Sequence, residues 1–145
     1  MGVKVIISGL SYHHIMDLPL EILELGLIKR GLKQRKLDKE NYIEAGCGDG
    51  INLEQFSRFG MTGVGIDMSA DAIDIVRQKG LKDTQLICGD FLTYKGNVVC
   101  PKTVFMLNLL EHIRDDVLFM RKAADLLQSG GFLILAVPAN PKAYG

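Results

Sequence analysis

Residues 42–50 read Tyr-Ile-Glu-Ala-Gly-Cys-Gly-Asp-Gly, and the fold can be inferred from this stretch. A short apolar approach precedes glycines at three alternate positions, Gly46, Gly48 and Gly50, after which apolar residues resume at helix-like intervals. Glycines at a strand-to-helix turn let the backbone approach a ligand closely, because no Cβ stands in the way. They also bring the ligand near the amides of the helix N-terminus. A glycine-rich turn without a ligand shows the same pattern, so residues further along the chain must decide between the two.

Downstream of the glycines, short apolar strands alternate with amphipathic helices. Strands are predicted at residues 42–45, 63–66, 85–88, 103–107 and 132–137, and helices at residues 51–58, 69–80 and 115–127. This alternation indicates parallel strands joined by right-handed crossovers. The predicted fold is therefore a three-layer, Rossmann-like α/β domain with a mostly parallel, doubly wound sheet.

The chain of 145 residues is predicted to form a single domain. Residues 1–40 are expected to supply an N-terminal arm and a helix that packs on the core, and residues 41–145 the sheet domain. Residues 3–7 fit a short strand, an extended arm or a remnant unrelated to the fold.

The composition excludes several classes of function. Lys and Arg together number 17, as do Asp and Glu, so no nucleic acid partner or anionic membrane is expected. No apolar run approaches the roughly 18 residues of a membrane span. Three widely spaced cysteines fit free thiols in a reducing compartment, which predicts a cytoplasmic protein without a metal site.

Carboxylates accompany three successive predicted strands. Glu44 lies in the first strand, Asp67 ends the second and Asp90 follows the third, at equal distances along the chain. In an open α/β sheet, ligands bind over the carboxyl ends of the strands, so these acids should share one rim. A carboxylate at the position of Asp67 can accept hydrogen bonds from both hydroxyls of a ribose. NAD and S-adenosylmethionine both carry this group.

The glycine spacing and the local charge distinguish these two ligands. The dinucleotide fingerprint is Gly-x-Gly-x-x-Gly, whereas the spacing here is Gly-x-Gly-x-Gly and position 51 is Ile51. Carboxylates at Glu44 and Asp49 would repel a pyrophosphate but suit a ligand with a sulfonium and an ammonium group. The charge favours S-adenosylmethionine, and a nicotinamide-nucleotide-binding domain remains an alternative.

Five segments, in order, resemble the motifs of class I S-adenosylmethionine-dependent methyltransferases of the small-molecule type. They are residues 44–50 (Glu-Ala-Gly-Cys-Gly-Asp-Gly), 65–69 (Gly-Ile-Asp-Met-Ser), 88–92 (Cys-Gly-Asp-Phe-Leu), 109–113 (Leu-Leu-Glu-His-Ile) and 127–131 (Leu-Gln-Ser-Gly-Gly). The resemblance covers about residues 40–140. It implies S-adenosylmethionine as the cofactor, S-adenosylhomocysteine as the product and a small-molecule methyl acceptor.

The resemblance also implies a role for each matching residue. The glycine loop would wrap the methionine part of the cofactor, Asp67 would hold the ribose, and Asp90 would bond the amino group of the adenine. The remaining cofactor-binding candidates are the loop residues Glu44, Gly46, Cys47, Gly48 and Gly50, then Met68 and Phe91 against the adenine, and Asn108 and Leu109 beside the sulfonium.

The end of the sequence departs from the family pattern. The family's sheet has two more strands after the fifth, the last of them antiparallel, and residues 132–137 would then form an exposed apolar edge. Natural proteins avoid such edges. We therefore expect that further residues of a longer protein cover this edge, or that a second copy does so in a homo-oligomer.

Methyl transfer from a sulfonium mainly requires alignment of the acceptor and exclusion of water. A general base is needed only if the acceptor is protonated at the working pH, and His112 is the catalytic candidate at the fourth strand. The alternative is that Glu111 and His112 cap or orient the next helix. A non-catalytic S-adenosylmethionine-binding or scaffold module is the alternative function.

Overall fold

The computed structural model describes residues 4–10, 28–96 and 100–138. The strands are β1 (Lys4–Leu10), β2 (Asn41–Ala45), β3 (Thr62–Asp67), β4 (Thr84–Cys88), β5 (Thr103–Leu107) and β6 (Phe132–Pro138). The helices are α1, whose described part is residues 28–34, α2 (Ile51–Arg58), α3 (Ala70–Gln78) and α4 (Asp116–Leu126). Two short 3₁₀ turns lie at Phe91–Thr93 and Leu110–His112. The predicted alternation of strands and helices is thereby confirmed.

All strands in the described part of the chain belong to one parallel sheet of six, in the order β1-β6-β5-β2-β3-β4. From β2 the chain proceeds outward to β3 and β4, and then returns to β5 on the other side of β2. The carboxyl ends of β2 and β5 therefore form the switch point at which α/β sheets bind their ligands. The glycine loop that follows β2 lies at this point, and the predicted doubly wound fold is confirmed.

The exposed edge predicted at residues 132–137 is wrong. In the structure β1 pairs with β6 along its whole length, from Lys4 opposite Phe132 to Leu10 opposite Pro138. Residues 4–10 are thus a strand of the sheet rather than an arm outside it. The homo-oligomer was expected because this edge would be exposed, and the pairing of β1 with β6 removes that reason. Residues 11–27, which belong to the predicted N-terminal arm and helix, lie outside the described residues.

Two apolar layers pack on the two faces of the sheet. Alternate residues of β2 point to opposite faces, so Tyr42 packs with α1 to α3 and Ile43 packs with α4. The first layer centres on Phe56 of α2 and Phe105 of β5, whose stacked rings lie 4.2 Å apart. This packing holds α2 on the sheet.

Gly65 in β3 allows α2 to approach the sheet closely. A Cβ at this position would lie 2.6 Å from Cδ1 of Leu53 and 3.1 Å from Sγ of Cys47. Both neighbours are buried side chains of the loop and of α2. The glycine therefore determines how deeply the loop sits over β3.

Two threonines that each begin a strand differ in how their hydroxyls are satisfied. Oγ1 of Thr103 is buried and has no hydrogen-bond partner among the described residues. Oγ1 of Thr84 bonds the hydroxyl of Tyr42 at 3.1 Å, and burial raises the pKa of that tyrosine.

We expect Thr103→Val to leave the free energy of unfolding unchanged or to raise it, because the substitution removes an unsatisfied buried hydroxyl without changing shape. Thr84→Val should lower it by about 1–3 kcal/mol, because the buried Tyr42 hydroxyl loses its partner. Urea denaturation of both variants measures the difference. Equal destabilisation by the two substitutions would contradict the assignment of an unsatisfied hydroxyl to Thr103 and a hydrogen-bonded one to Thr84.

Candidate cofactor site

The loop between β2 and α2 depends on glycine at three positions. Gly46, Gly48 and Gly50 all have positive φ angles, of 72°, 52° and 80°. L-residues other than glycine adopt this region at a cost. A Cβ at Gly46 would lie 2.7 Å from Cδ1 of Leu109, and one at Gly50 would lie 2.7 Å from Cγ2 of Val76. Both the conformation and the space at these two positions exclude a side chain.

Backbone amides fasten the loop to the end of β3. Gly46 N and Cys47 N both donate to the carbonyl oxygen of Ile66, at 2.8 and 3.0 Å. Gly48 N donates to Oδ2 of Asp67 at 2.8 Å. The loop conformation is therefore set by β3 as well as by its own glycines.

Asp67 has two structural bonds, one on each carboxylate oxygen. Oδ2 accepts from Gly48 N, and Oδ1 accepts from Ser69 N at 2.9 Å. Each carboxylate oxygen can accept a second hydrogen bond, and the residue is only half-buried. Asp67 can thus hold the loop and still accept hydrogen bonds from a ribose, which stays a prediction.

A cavity of about 160 Å³ opens beside the loop at the carboxyl ends of the strands. Six predicted site residues line it: Gly46, Asp67, Met68, Asp90, Phe91 and Leu109. Four further lining residues were not predicted: Ile66, Gly89, Ile113 and Phe119. Typical ligand pockets measure roughly 300–1,000 Å³, so the cavity is sized for one part of a larger ligand, such as a ring system.

The walls of the cavity are apolar and its charges are negative. Phe91 is buried, and its ring lies 5.6 Å from that of Phe119 on α4. Met68 also lines the cavity and is 76% exposed. Asp67 and Asp90 supply the charge, and none of the described lining residues is Lys or Arg. A flat ring attached to a cationic group fits these walls.

Asp90 begins the short 3₁₀ turn that carries Phe91. Its Oδ1 accepts from Leu92 N at 2.9 Å, and its backbone carbonyl accepts from the hydroxyl of Thr93. This capping places the carboxylate at the cavity wall and leaves Oδ2 for another donor. The predicted bond to an adenine amino group stays a prediction.

Asn108 and Leu109 follow β5 in an unusual conformation. Asn108 has a φ of 53°, and its amide donates to the carbonyl oxygen of Ala136 at 2.8 Å. Asn tolerates the left-handed region better than most residues. The turn directs Leu109 over Gly46, so β5 and the glycine loop meet at the cavity. Asn108 itself is exposed and does not line the cavity.

Glu44, Cys47, Gly48 and Gly50 also do not line the cavity but form or support the loop beside it. Glu44 is fully buried, and its Oε1 accepts from Nδ2 of Asn52 at 2.8 Å. The sequence pattern does not distinguish Asn52 from the other polar residues of the predicted helix. Its position two residues into the predicted helix was the available signal, but its contact with Glu44 depends on the loop geometry.

His112 lies exposed on the second 3₁₀ turn, with Nε2 3.9 Å from Oε1 of Glu111. It does not line the cavity. Neither residue caps α4, because Oδ1 of Asp115 accepts from Leu118 N and caps that helix instead. The capping half of the alternative is therefore wrong, whereas an orienting role for Glu111 and His112 and the role of His112 as a base both stay predictions.

A larger cleft, of about 430 Å³, lies between α1 and α2 at the end of α2 remote from the loop. Lys29, Lys33 and Arg58 line it, and the Lys29 ammonium lies 5.4 Å from the centroid of the Phe59 ring. Lys33 and Arg58 lie in the last turns of α1 and α2, where cations offset the helix dipole, so these two basic residues have a structural explanation.

The described residues include no group of three or more His, Cys, Asp or Glu side chains placed to hold a metal ion. No helix in the described part of the chain has the length and apolar character needed to cross a membrane.

The three thiols differ in burial. Burial, with the negative charges of Glu44 and Asp67, raises the pKa of the Cys47 thiol to about 12. Cys88 and Cys100 are exposed. Because thiolate is the reactive form, Cys47 should be inert at neutral pH.

We expect iodoacetamide at pH 8 to alkylate Cys88 and Cys100 in the folded protein while leaving Cys47 unmodified. Peptide mass spectrometry locates the adducts. Cys47 should react in urea, where its pKa returns to the ordinary value. Alkylation of Cys47 in the folded protein as fast as that of Cys100 would contradict this assignment.

The fold and the site together define a Rossmann-like cofactor-binding domain. The glycine loop follows the central strand, an acid ends the neighbouring strand, and a cavity lies between them at the switch point.

Residues 12–144 match the methyltransferase-domain family, and the chain belongs to this family. The match confirms the resemblance to class I S-adenosylmethionine-dependent methyltransferases. Ubiquinone biosynthesis O-methyltransferase of Sodalis glossinidius is 28% identical over 138 residues, which is 91% of this chain and 52% of that protein. The enzyme of the same name from Brucella anthropi is 29% identical over 117 residues, which is 77% of this chain and 46% of that protein. The chain thus spans about half the length of these relatives.

Solved structures share the fold at low sequence identity. Coclaurine N-methyltransferase, bound to N-methylheliamine and S-adenosylhomocysteine, superposes with a TM-score of 0.68 at 17% identity, over 86% of this chain and 38% of that one. Magnesium protoporphyrin IX methyltransferase from Synechocystis PCC 6803, with bound S-adenosylmethionine, superposes with a TM-score of 0.65 at 19% identity. The match covers 74% of this chain and 55% of that one. The [4+2]-cyclase SpnF superposes with a TM-score of 0.70 at 18% identity, and the match covers 85% of this chain and 48% of that one. These likenesses establish the fold.

Proposed function

We propose that this chain binds S-adenosylmethionine at the cavity and is the cofactor-binding part of a methyltransferase that acts on a small molecule. The observation that carries the proposal is the joining of the glycine loop to Asp67 beside a cavity with apolar walls, two carboxylates and no lining cation among the described residues. A pyrophosphate would meet repulsion at this rim, whereas a sulfonium would meet attraction.

The described residues fit the parts of this ligand. Asp67 keeps acceptor capacity for the ribose hydroxyls, and the rings of Phe91 and Phe119 with the Met68 side chain enclose space for the adenine. Oδ2 of Asp90 faces no backbone amide of its own turn and can accept from the adenine amino group. The glycine loop lies where the methionine part would follow, with Asn108 and Leu109 near the sulfonium.

The bound cofactor would supply the methyl group, and the chain's own residues would align and shield it. Leu109, Ile113 and Phe119 are apolar lining residues that would exclude water from the side of a bound cofactor. Positioning of this kind can supply much of the rate of a displacement reaction. His112 is proposed as the base for acceptors that carry a proton at working pH.

The acceptor proposed is a hydroxyl oxygen of a small molecule, in keeping with the O-methyltransferase names of the relatives. A fold shared with a protein named as a [4+2]-cyclase shows that architecture alone does not specify methyl transfer. A non-catalytic cofactor-binding module is therefore the competing proposal. The cytoplasmic location is also a proposal, supported by the free cysteines Cys47, Cys88 and Cys100.

Titration calorimetry with S-adenosylhomocysteine should give saturable binding. Asp67→Ala should weaken it by about a hundredfold or more, because charge-assisted bonds to the ribose and the loop anchor are lost together. Asp71→Ala, an exposed carboxylate on α3, is the control and should bind normally. Heat with NAD but none with S-adenosylhomocysteine would refute the proposal.

Labelled S-adenosylmethionine with a panel of hydroxylated, amino and carbon acceptors should yield O-methylated product. For a reactive acceptor, His112→Gln should slow the reaction by about a hundredfold or more and remove the acidic limb of the rate–pH profile, since a base must be unprotonated to act. Arg114→Gln, a substitution of an exposed residue close to His112 in the sequence, should change neither the rate nor the pH profile. Cofactor binding without any product across the panel would favour the non-catalytic module.

A further inference from the structure

The two residues that flank the glycine loop are joined by a side-chain hydrogen bond. Nδ2 of Asn52, in the first turn of α2, donates to Oε1 of Glu44, near the end of β2, at 2.8 Å. Glu44 lies two residues before the first loop glycine and Asn52 two residues after the last. The bond therefore closes the loop at its base.

Glu44 is placed to support the loop and not to touch a ligand. It is fully buried and does not line the cavity. A buried carboxylate is stabilised only when donors surround it, and a charge-assisted bond of this length is among the stronger ones in proteins. The start of α2 and the end of β2 are thus held together by a bond that the loop backbone alone does not provide.

The two sides of the loop have separate anchors. Asp67 holds Gly48 on the β3 side and belongs to the same rim as Met68, where the adenosine half would bind. The bond between Glu44 and Asn52 holds the loop on the α2 side, against which the methionine half would lie. Loss of the bond between Glu44 and Asn52 should therefore affect the amino-acid half of the ligand, because the adenosine half keeps its own contacts at the β3 rim.

We propose that Asn52 and Glu44 are positioning residues that fix the glycine loop for the amino-acid half of the ligand. The inference rests on the proposed function, since it assigns the loop side of the same site. Neither residue need contact the ligand, because their effect passes through the backbone of residues 45–51.

The test compares two ligands that share the adenosine half. S-adenosylhomocysteine carries the amino-acid half, and 5′-methylthioadenosine lacks it. Asn52→Leu should weaken the binding of S-adenosylhomocysteine about tenfold or more, because a bond to a charged group is lost. The affinity for 5′-methylthioadenosine should change less than about twofold. Calorimetry measures both affinities. Gln55→Leu, also on α2, is the control and should alter neither affinity.

A reversal of donor and acceptor tests the bond itself. Asn52→Asp brings two carboxylates together and should weaken the binding of S-adenosylhomocysteine more than Asn52→Leu does. The double variant E44Q/N52D restores one amide and one carboxylate with their positions exchanged. It should recover S-adenosylhomocysteine affinity to within about threefold of the unaltered chain, as pairwise coupling requires. This variant also provides the test if Asn52→Leu fails to fold by circular dichroism.

Each outcome decides between the alternatives. Equal losses for both ligands, unchanged affinity in Asn52→Leu, or no recovery in the double variant would overturn the positioning role while leaving the proposed function intact. An unaltered chain that binds neither ligand would overturn the proposed function and this inference with it.

Discussion

The hydrogen bond from the Gly48 amide to the Asp67 carboxylate is the contact on which the site depends. It joins a loop that follows β2 to the end of β3, and it does so with an acid whose other oxygen is held by Ser69. Because Asp67 is fixed on both oxygens, its remaining lone pairs have defined directions. The cavity wall, the loop conformation and the rim charge therefore come from one arrangement.

Close packing beneath the loop makes this arrangement rigid. Gly65 lets Leu53 press against β3, and the stacked rings of Phe56 and Phe105 hold α2 on the sheet. Interiors of this density do not deform smoothly. The loop therefore rests on a base that cannot shift without cost, which suits a site that works by positioning.

At the sheet edge, the physical rule behind the prediction is correct, but the predicted exposed edge is wrong. An apolar strand such as β6 does need a partner, since unpaired edges invite association. The partner is β1, supplied by residues 4–10, far away along the chain. Parallel pairing leaves no turn signal between its two strands, so nothing in the local sequence indicates it.

The sequence by itself determined the order of strands and helices, the loop glycines and the acids at the strand ends. These follow from local patterns: periodicity, residues that tolerate positive φ, and charge at fixed positions along repeated units. Tertiary structure alone decided that β1 covers β6, that Phe119 and Ile113 complete the cavity and that Asn52 reaches Glu44. It also separated Glu44 and Cys47, which support the loop from within, from Asp67 and Phe91, which line the cavity. These features depend on the rotation of each helix and on contacts between distant segments, which only packing of the whole chain determines.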